Sequence, residues 1–142
     1  MNLPPQRPLG VTLLAGFFTF GVLMCMLTVL LLLVPGTKMD LIWRVNPEAQ
    51  RSFASIGGWA FLLMLTTATA CAASAVGLWR GAEWGRRMAI AVLLVNLLGD
   101  LSGAVLRGDL RTLIGLPISA ALIAYLCGRR VRRWTLHDRP DR

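Results

Sequence analysis

A chain of 142 residues that is 56% hydrophobic and only 15% charged, with a mean hydropathy of +0.62, is too apolar for an ordinary soluble domain of this size. Its formal net charge of +8 would suit nucleic acid, but the basic residues lie just outside apolar runs, where topology and lipid headgroups explain them. We therefore expect one membrane domain over residues 1–142, embedded in the lipid bilayer, with no nucleic-acid partner.

The first apolar run extends from Leu9 to Val34 without a charged residue and ends at Pro35-Gly36. It predicts a first transmembrane helix over residues 9–34, about 39 Å long and able to span a bilayer with tilt. Residues 1–8 are expected to form a short cytoplasmic lead-in. A cleavable signal peptide is the alternative, but the stretch is too long and Val-Pro-Gly-Thr is a poor cleavage site.

Residues 35–56 are predicted to form an outer loop that contains one short helix. Asn46 can cap this helix, Pro47 suits its first position, and Glu48 lies at the positive end of its dipole. The apolar spacing from Pro47 to about Ile56 indicates an amphipathic helix at the membrane interface. The alternatives are a lid over a small-ligand site and a solvated connector.

The second predicted span, residues 57–79, has a tryptophan near each end. Trp59 and Trp79 are separated by roughly 30 Å of helix, the thickness of the hydrocarbon core, which is typical of an aromatic belt. Between them, Thr66 to Ala75 consists only of Thr, Ala, Cys and Ser, so another helix can approach closely. We expect the hydroxyl groups to bond back to their own helix, with a polar path as the alternative.

The second half of the chain contains two further predicted spans. An inner loop over 80–87 rich in arginine precedes a third span over 88–106. An outer turn over 107–112 leads to a short fourth span over 113–127. Asn96 and Asp100 are the only polar pair in a span, and their spacing of four places them on one helix face.

Asp100 is the residue most in need of explanation, because an ionised carboxylate at membrane depth is costly and often functional. We expect a structural role, with pairing or hydrogen bonding to the small-residue face around Thr66 to Thr69, or with Arg107 or Arg111 in reach. The alternatives are a proton or cation site shared with Asn96 and an exposed interfacial position.

The tail, residues 128–142, is predicted to touch anionic lipid headgroups from the cytoplasmic side. Its candidate headgroup ligands are Arg129, Arg130, Arg132 and Arg133. With both termini inside, ten of the 15 Lys+Arg residues lie on the inner side. This asymmetry predicts an N-in, C-in orientation in the cytoplasmic (inner) membrane, which requires an even number of spans.

No catalytic, metal or cofactor site is predicted. Cys25, Cys71 and Cys127 lie inside or at the end of apolar runs without a C-x-x-C motif, so we expect packing residues. His137 is the only histidine and lacks a set of metal-ligand partners. Because no nucleophile and base converge, we predict that the protein is not an enzyme.

Four different short motifs lie near the ends of the predicted spans. They are Arg7-Pro8-x-Gly10, Leu78-Trp79-Arg80 with Trp84-Gly85, Gly108-Asp109, and Tyr125-Leu126 followed by Val131-Arg132-Arg133. Together they resemble a group of uncharacterised small four-helix bacterial membrane proteins. The resemblance covers nearly the whole chain and implies fold and location only. A small multidrug transporter would have an acidic residue in its first span, which is absent here. DoxX-like and glutathione-transferase-like four-helix membrane proteins match in size but not in active-site motif.

The sequence thus predicts an all-α protein, a bundle of four transmembrane helices with a short interfacial helix in the first outer loop. Its expected role is structural or accessory, binding lipid, a membrane-protein partner or a second copy of itself. The alternative is a small proton- or cation-coupled transporter or channel subunit that uses Asp100 and Asn96.

Overall fold

The computed structural model describes residues 8–34, 43–44, 47–107 and 115–137. Over these ranges the chain is helical and contains no strand, which confirms the all-α prediction. The helices are α1 (Leu9–Leu33), α2 (Pro47–Ile56), α3 (Gly58–Trp79), α4 (Glu83–Arg107), α5 (Gly115–Cys127) and α6 (Arg129–His137). The predictions for residues 1–7, most of 35–46, 108–114 and 138–142 lie outside the described ranges.

Three of these helices are long and apolar enough to cross a membrane. They are α1 with 25 residues, α3 with 22, and the 23-residue part of α4 that ends at Val105. At about 1.5 Å per residue each exceeds the roughly 30 Å of a hydrocarbon core. α5 is apolar but has only 13 residues, or about 20 Å of helix.

The outer surface of the bundle is apolar along these helices. On α1, Leu9 and Leu13 are 81% and 72% exposed, and Val95 on α4 is 70% exposed. α1 has no polar face, because hydrophobic residues surround its axis. Soluble proteins rarely expose continuous apolar surface on this scale, whereas lipid tails solvate it without cost. The surface therefore fits a protein embedded in a bilayer.

The helices pack in chain order, α1 against α3, α3 against α4 and α4 against α5, while α6 packs on α4 and α5. The buried core draws on all of them except α2; its residues are Val11, Leu14, Ala15, Phe18, Cys71, Leu78, Ala89, Leu93, Leu126 and Val131. Most of these lie at the end of the bundle where α1 and α4 begin and α3 and α5 end. We call this the basic end, because the Arg80–Arg87 segment and α6 are there.

The connection between α3 and α4 is shorter than the predicted inner loop over 80–87. The N–H of Ala82 donates to the carbonyl of Gly77 (2.9 Å) and the N–H of Gly81 to that of Leu78 (3.2 Å). With Gly81 at φ +72°, this is a Schellman cap. α4 then begins at Glu83, whose carboxylate favours the helix N-terminus and lies 2.6 Å from Arg87. Of the charges that predicted a loop, Glu83, Arg86 and Arg87 belong to the first turns of α4, whereas Arg80 caps the end of α3.

α3 and α4 touch backbone to backbone next to this turn. A Cβ on Gly77 would collide with the backbone of Gly85, and a Cβ on Gly85 would collide with the backbone of Gly77. Two glycines thus allow the close approach that small residues give in lipid. The small-residue pattern at this end of α3 serves packing within the chain.

Candidate functional site

A groove of about 550 Å³ lies along α3 and α4. We call it the α3–α4 groove; its lining residues are Leu63, Met64, Thr66, Thr67, Ala70, Met88, Ala91, Val92, Val95, Asn96, Gly99 and Asp100. The α4 residues follow a spacing of three and four, so one face of that helix forms one wall. Asn96 and Asp100 are both in this wall, so the structure brings the two predicted polar residues together. On α4, the residues that line the groove from Met88 to Val95 are apolar.

Asp100 is half-buried and lies against the first residue of α5. A Cβ added to Gly115 would lie 2.5 Å from the Oδ2 atom of Asp100, so the carboxylate occupies the space beside that glycine. The N-terminus of a helix carries unpaired N–H groups and a partial positive charge, which favour a carboxylate. We expect the contact with the start of α5 to stabilise the Asp100 carboxylate in this way. Two predicted partners, the Arg107 side chain and Arg111, lie outside the described part of the chain.

The threonines of α3 do not donate to Asp100. The hydroxyls of Thr66 and Thr67 donate to the carbonyls of Leu62 and Leu63, each at 2.8 Å, and Thr69 donates to its own helix in the same way. This confirms the predicted back-bonding. A hydroxyl has one proton, so the expected donation from this face to the carboxylate is wrong. The contact that the structure gives the Asp100 carboxylate is with Gly115 of α5.

A second surface lies at the basic end, where α6 docks on the bundle. Val131 and Thr135 are buried, and the ring of Trp134 covers Gly81, with its Cη2 atom 3.0 Å from the place of an added Cβ. Arg129 and Arg132 are exposed. α6 therefore turns its apolar residues to the bundle and presents guanidinium groups on its outer side. The side chains of Arg130 and Arg133 lie outside the described residues.

Arg86 links α4 to α5 at this end and is only 13% exposed. Its Nη1 donates to the carbonyl of Leu126 in the last turn of α5 (3.4 Å), and its Nη2 lies 3.9 Å from Glu83. A positive charge at a helix C-terminus is favourable. From the sequence, Arg86 was predicted only as one of the charges of the inner loop. The pattern that indicates its burial is a spacing of three and seven residues from Ala89 and Leu93, which are both buried.

The three cysteines differ in burial, and the predicted packing role fits Cys71 best. Cys71 is buried in the interface between α3 and α1, where a Cβ on Gly21 would lie 3.5 Å from its Sγ atom. Cys25 is half-buried and Cys127 is exposed. Within the described ranges, no group of three or more His, Cys, Asp or Glu side chains is arranged to hold a metal ion.

The bundle thus carries two surfaces of opposite charge. The α3–α4 groove combines an apolar wall with one carboxylate, which suits a cation or the cationic end of an amphiphile. The outer side of α6 presents guanidinium groups, whose geometry and charge suit phosphate groups. No family model, curated protein or solved structure was found to match this chain.

Proposed function

We propose that this chain is a structural or accessory protein of the cytoplasmic membrane that binds anionic lipid headgroups through α6. One observation carries the proposal: α6 is fixed on the bundle by Val131 and Trp134 while Arg129 and Arg132 remain exposed. Guanidinium groups pair with phosphate oxygens in a two-pronged geometry. Each basic residue near an anionic membrane surface contributes about 1 kcal/mol. Under this proposal the protein is not an enzyme and uses no cofactor or metal.

We further propose four spans with both termini inside. This topology is supported by the contact between Gly10, near the start of α1, and Tyr125, near the end of α5. A chain that begins and ends its spans at the same end of the bundle crosses an even number of times. α5, with 13 residues, is shorter than the bilayer core, and local thinning of the bilayer accommodates such a mismatch at modest cost.

The orientation follows from charge. Ten of the 15 Lys+Arg residues belong to the lead-in, the α3–α4 turn region and the tail, which this topology assigns to one side. An excess of Lys and Arg marks the cytoplasmic side. The basic end is therefore the cytoplasmic end in our proposal.

We assign α2 to the outer membrane interface. Its Phe53 ring meets the buried Trp43 edge to face, with centroids 6.0 Å apart, while Glu48, Gln50 and Arg51 are exposed. An amphipathic helix, with an aromatic contact on one side and polar side chains on the other, lies between the headgroups and the acyl chains. Trp59, 73% exposed near the start of α3, supplies an interfacial anchor beside it.

The test compares anionic-lipid binding by two double variants of the full-length protein in nanodiscs. Arg129→Gln with Arg132→Gln removes two charges from α6; Arg44→Gln with Arg51→Gln removes two exposed charges from the opposite end. We expect enrichment of phosphatidylglycerol over phosphatidylcholine by the wild type and the second variant, and reduced enrichment by the first. Equal enrichment by all three proteins would refute the role of α6. Binding of a membrane protein or a second copy on the apolar surface is the other accessory role, and crosslinking in the same nanodiscs detects it.

A second candidate function is favoured by the α3–α4 groove, in which Asn96 and Asp100 share one wall. In this case the chain is a small proton- or cation-coupled transporter or channel subunit. Single cysteines at positions 92–106, in a background without the native three, would react with aqueous reagents along one helical stripe around Asn96 and Asp100. Reaction only beyond about position 102 would exclude a water-filled path. Asp100→Asn should abolish flux while the yield of folded protein is unchanged.

A further inference from the structure

We propose that the α3–α4 groove binds a single-chain amphiphile with a protonated amine head, held by Asp100, and with its alkyl chain along α4. This inference rests on the same groove as the second candidate function and names the ligand class. It concerns equilibrium binding, so it holds whether or not the chain transports anything.

Charge identifies the head of the ligand. Among the described residues that line the groove, Asp100 is the only charged one, and Asn96 lies one helical turn away on the same wall. A carboxylate accepts several hydrogen bonds, and Oδ2 is the oxygen that lies against Gly115. An ammonium group supplies three donors and a full positive charge, whereas an anionic head would be repelled. The amide of Asn96 adds an acceptor and two donors within the same turn.

Shape identifies the tail. Met88 and Asp100 are twelve residues apart on α4, which corresponds to about 18 Å. One leaflet of a bilayer's hydrocarbon core is about 15 Å deep, so a membrane-length alkyl chain matches this distance. Between Met88 and Asn96 the α4 wall is formed by Ala91, Val92 and Val95, whose side chains offer no polar partner. The volume of about 550 Å³ lies in the usual range for small-molecule sites, about 300–1,000 Å³.

A second groove in the bundle serves as an internal comparison. It has a volume of about 460 Å³ and is lined by apolar residues of α1 and α5, with Gly10 and Tyr125 at one end. None of the described residues that line it is charged. Alkyl chains that enter this groove do so regardless of the charge of their head. Preference for an amine over a neutral head of equal chain length therefore reports on the α3–α4 groove.

Two variants test the binding of the ligand's head and the binding of its alkyl chain separately. Asp100→Asn removes the charge at nearly constant volume. Gly99→Leu fills the groove and keeps Asp100, and it is sterically allowed because a Cβ at Gly99 meets nothing within 4 Å. Gly16→Leu is the matched control, since a Cβ at Gly16 also meets nothing within 4 Å and Gly16 is on α1, outside the groove. Both leucine substitutions replace a helical glycine and so favour the fold.

The experiment measures saturation binding of tritiated dodecylammonium, dodecanol and dodecyl sulfate to the full-length protein in phosphatidylcholine nanodiscs, with empty nanodiscs subtracted. We expect the wild type and Gly16→Leu to bind dodecylammonium about tenfold more tightly than dodecanol, as a charge-assisted hydrogen bond predicts. Asp100→Asn should lose the preference, and Gly99→Leu should lose the specific binding. The proposal is overturned if Asp100→Asn keeps the preference or if Gly99→Leu binds as tightly as Gly16→Leu. If the protein binds dodecylammonium but a parallel assay detects no flux, the transport function is excluded and the binding proposal is unaffected.

Discussion

Gly77 and Gly85 bring the backbones of α3 and α4 into direct contact, and neither position has room for a Cβ. Gly85→Ala should therefore force the two helices apart, at a cost of about 1–3 kcal/mol or more from overpacking. Thermal unfolding of the purified protein measures the loss. Gly99→Ala is the control on the same helix, because a Cβ there meets nothing within 4 Å, and it should be neutral or stabilising. Equal unfolding temperatures for the two variants would contradict the close contact.

Gly81 carries two separate constraints, a positive φ of +72° and the ring of Trp134 above it. Gly81→Ala should lower the free energy of unfolding for both reasons, the backbone conformation and the contact with the ring. The left-handed backbone alone should account for about 1–2 kcal/mol. A double-mutant cycle with Trp134→Ala isolates the second effect. In the Trp134→Ala background, only the backbone cost should remain. An unchanged cost in that background would mean that the ring does not press on residue 81.

Arg86 and Arg87 are adjacent and equally basic but differ in burial, with exposures of 13% and 72%. Arg86→Gln should cost about 1–3 kcal/mol, because the carbonyl of Leu126 loses a charged donor at the C-terminus of α5. Arg87→Gln removes a surface ion pair and should change stability by no more than about 0.5 kcal/mol. Chemical unfolding in mixed micelles compares the two, and equal losses would show that Arg86 acts only as a surface charge.

The docking of α6 can be tested by limited proteolysis. Trp134→Ala removes the ring that covers Gly81, so α6 should open more often and trypsin should cut after its arginines several-fold faster. Trp59→Ala is the matched control, since this ring is 73% exposed at the other end of the bundle. Similar cleavage rates in the two variants would show that Trp134 does not hold α6.

Asp100 and Gly115 should be energetically coupled. Gly115→Ala introduces a Cβ 2.5 Å from the present position of Oδ2, so the carboxylate must move away from the start of α5. We expect a loss of about 0.3–1 kcal/mol, the usual value of a charge at a helix terminus. With Asp100→Ala present, the same substitution should be neutral or stabilising. Thermal unfolding of the four proteins in the cycle gives the coupling energy, and a value of zero would remove α5 from the support of Asp100.

The hydropathy pattern predicted the three long helices because a membrane demands apolar side chains over a fixed length. The helix from Pro47 to Ile56 was also predicted with its observed bounds, since Pro47 and Glu48 favour a helix start. The segment predicted as an inner loop over 80–87 is helical from Glu83 onward, because charge alone does not separate a loop from a solvated first turn. Glu83 and Arg87 are four residues apart and stabilise that turn as a helix.

Part of the candidate site was predictable and part was not. A spacing of four predicted that Asn96 and Asp100 share one helix face, and both residues line one groove. The support of Asp100 by Gly115 depends on how α5 approaches α4, which no local pattern encodes. The same holds for Trp134 and Gly81, which are distant in sequence and meet only because α6 folds back on the α3–α4 turn.

The one-sided position of the core has a consequence for how the native state opens. Val11, Leu78 and Leu126 are fully buried at the basic end, and the core as a whole is concentrated there. Proteins open through cooperative units whose free energies follow local burial. Amide hydrogen exchange should therefore be slowest where α3, α4 and α6 meet and faster around Asp100. We therefore expect the half of the bundle around Asp100 to change shape at a lower free-energy cost than the basic end, where α6 packs on α4 and α5.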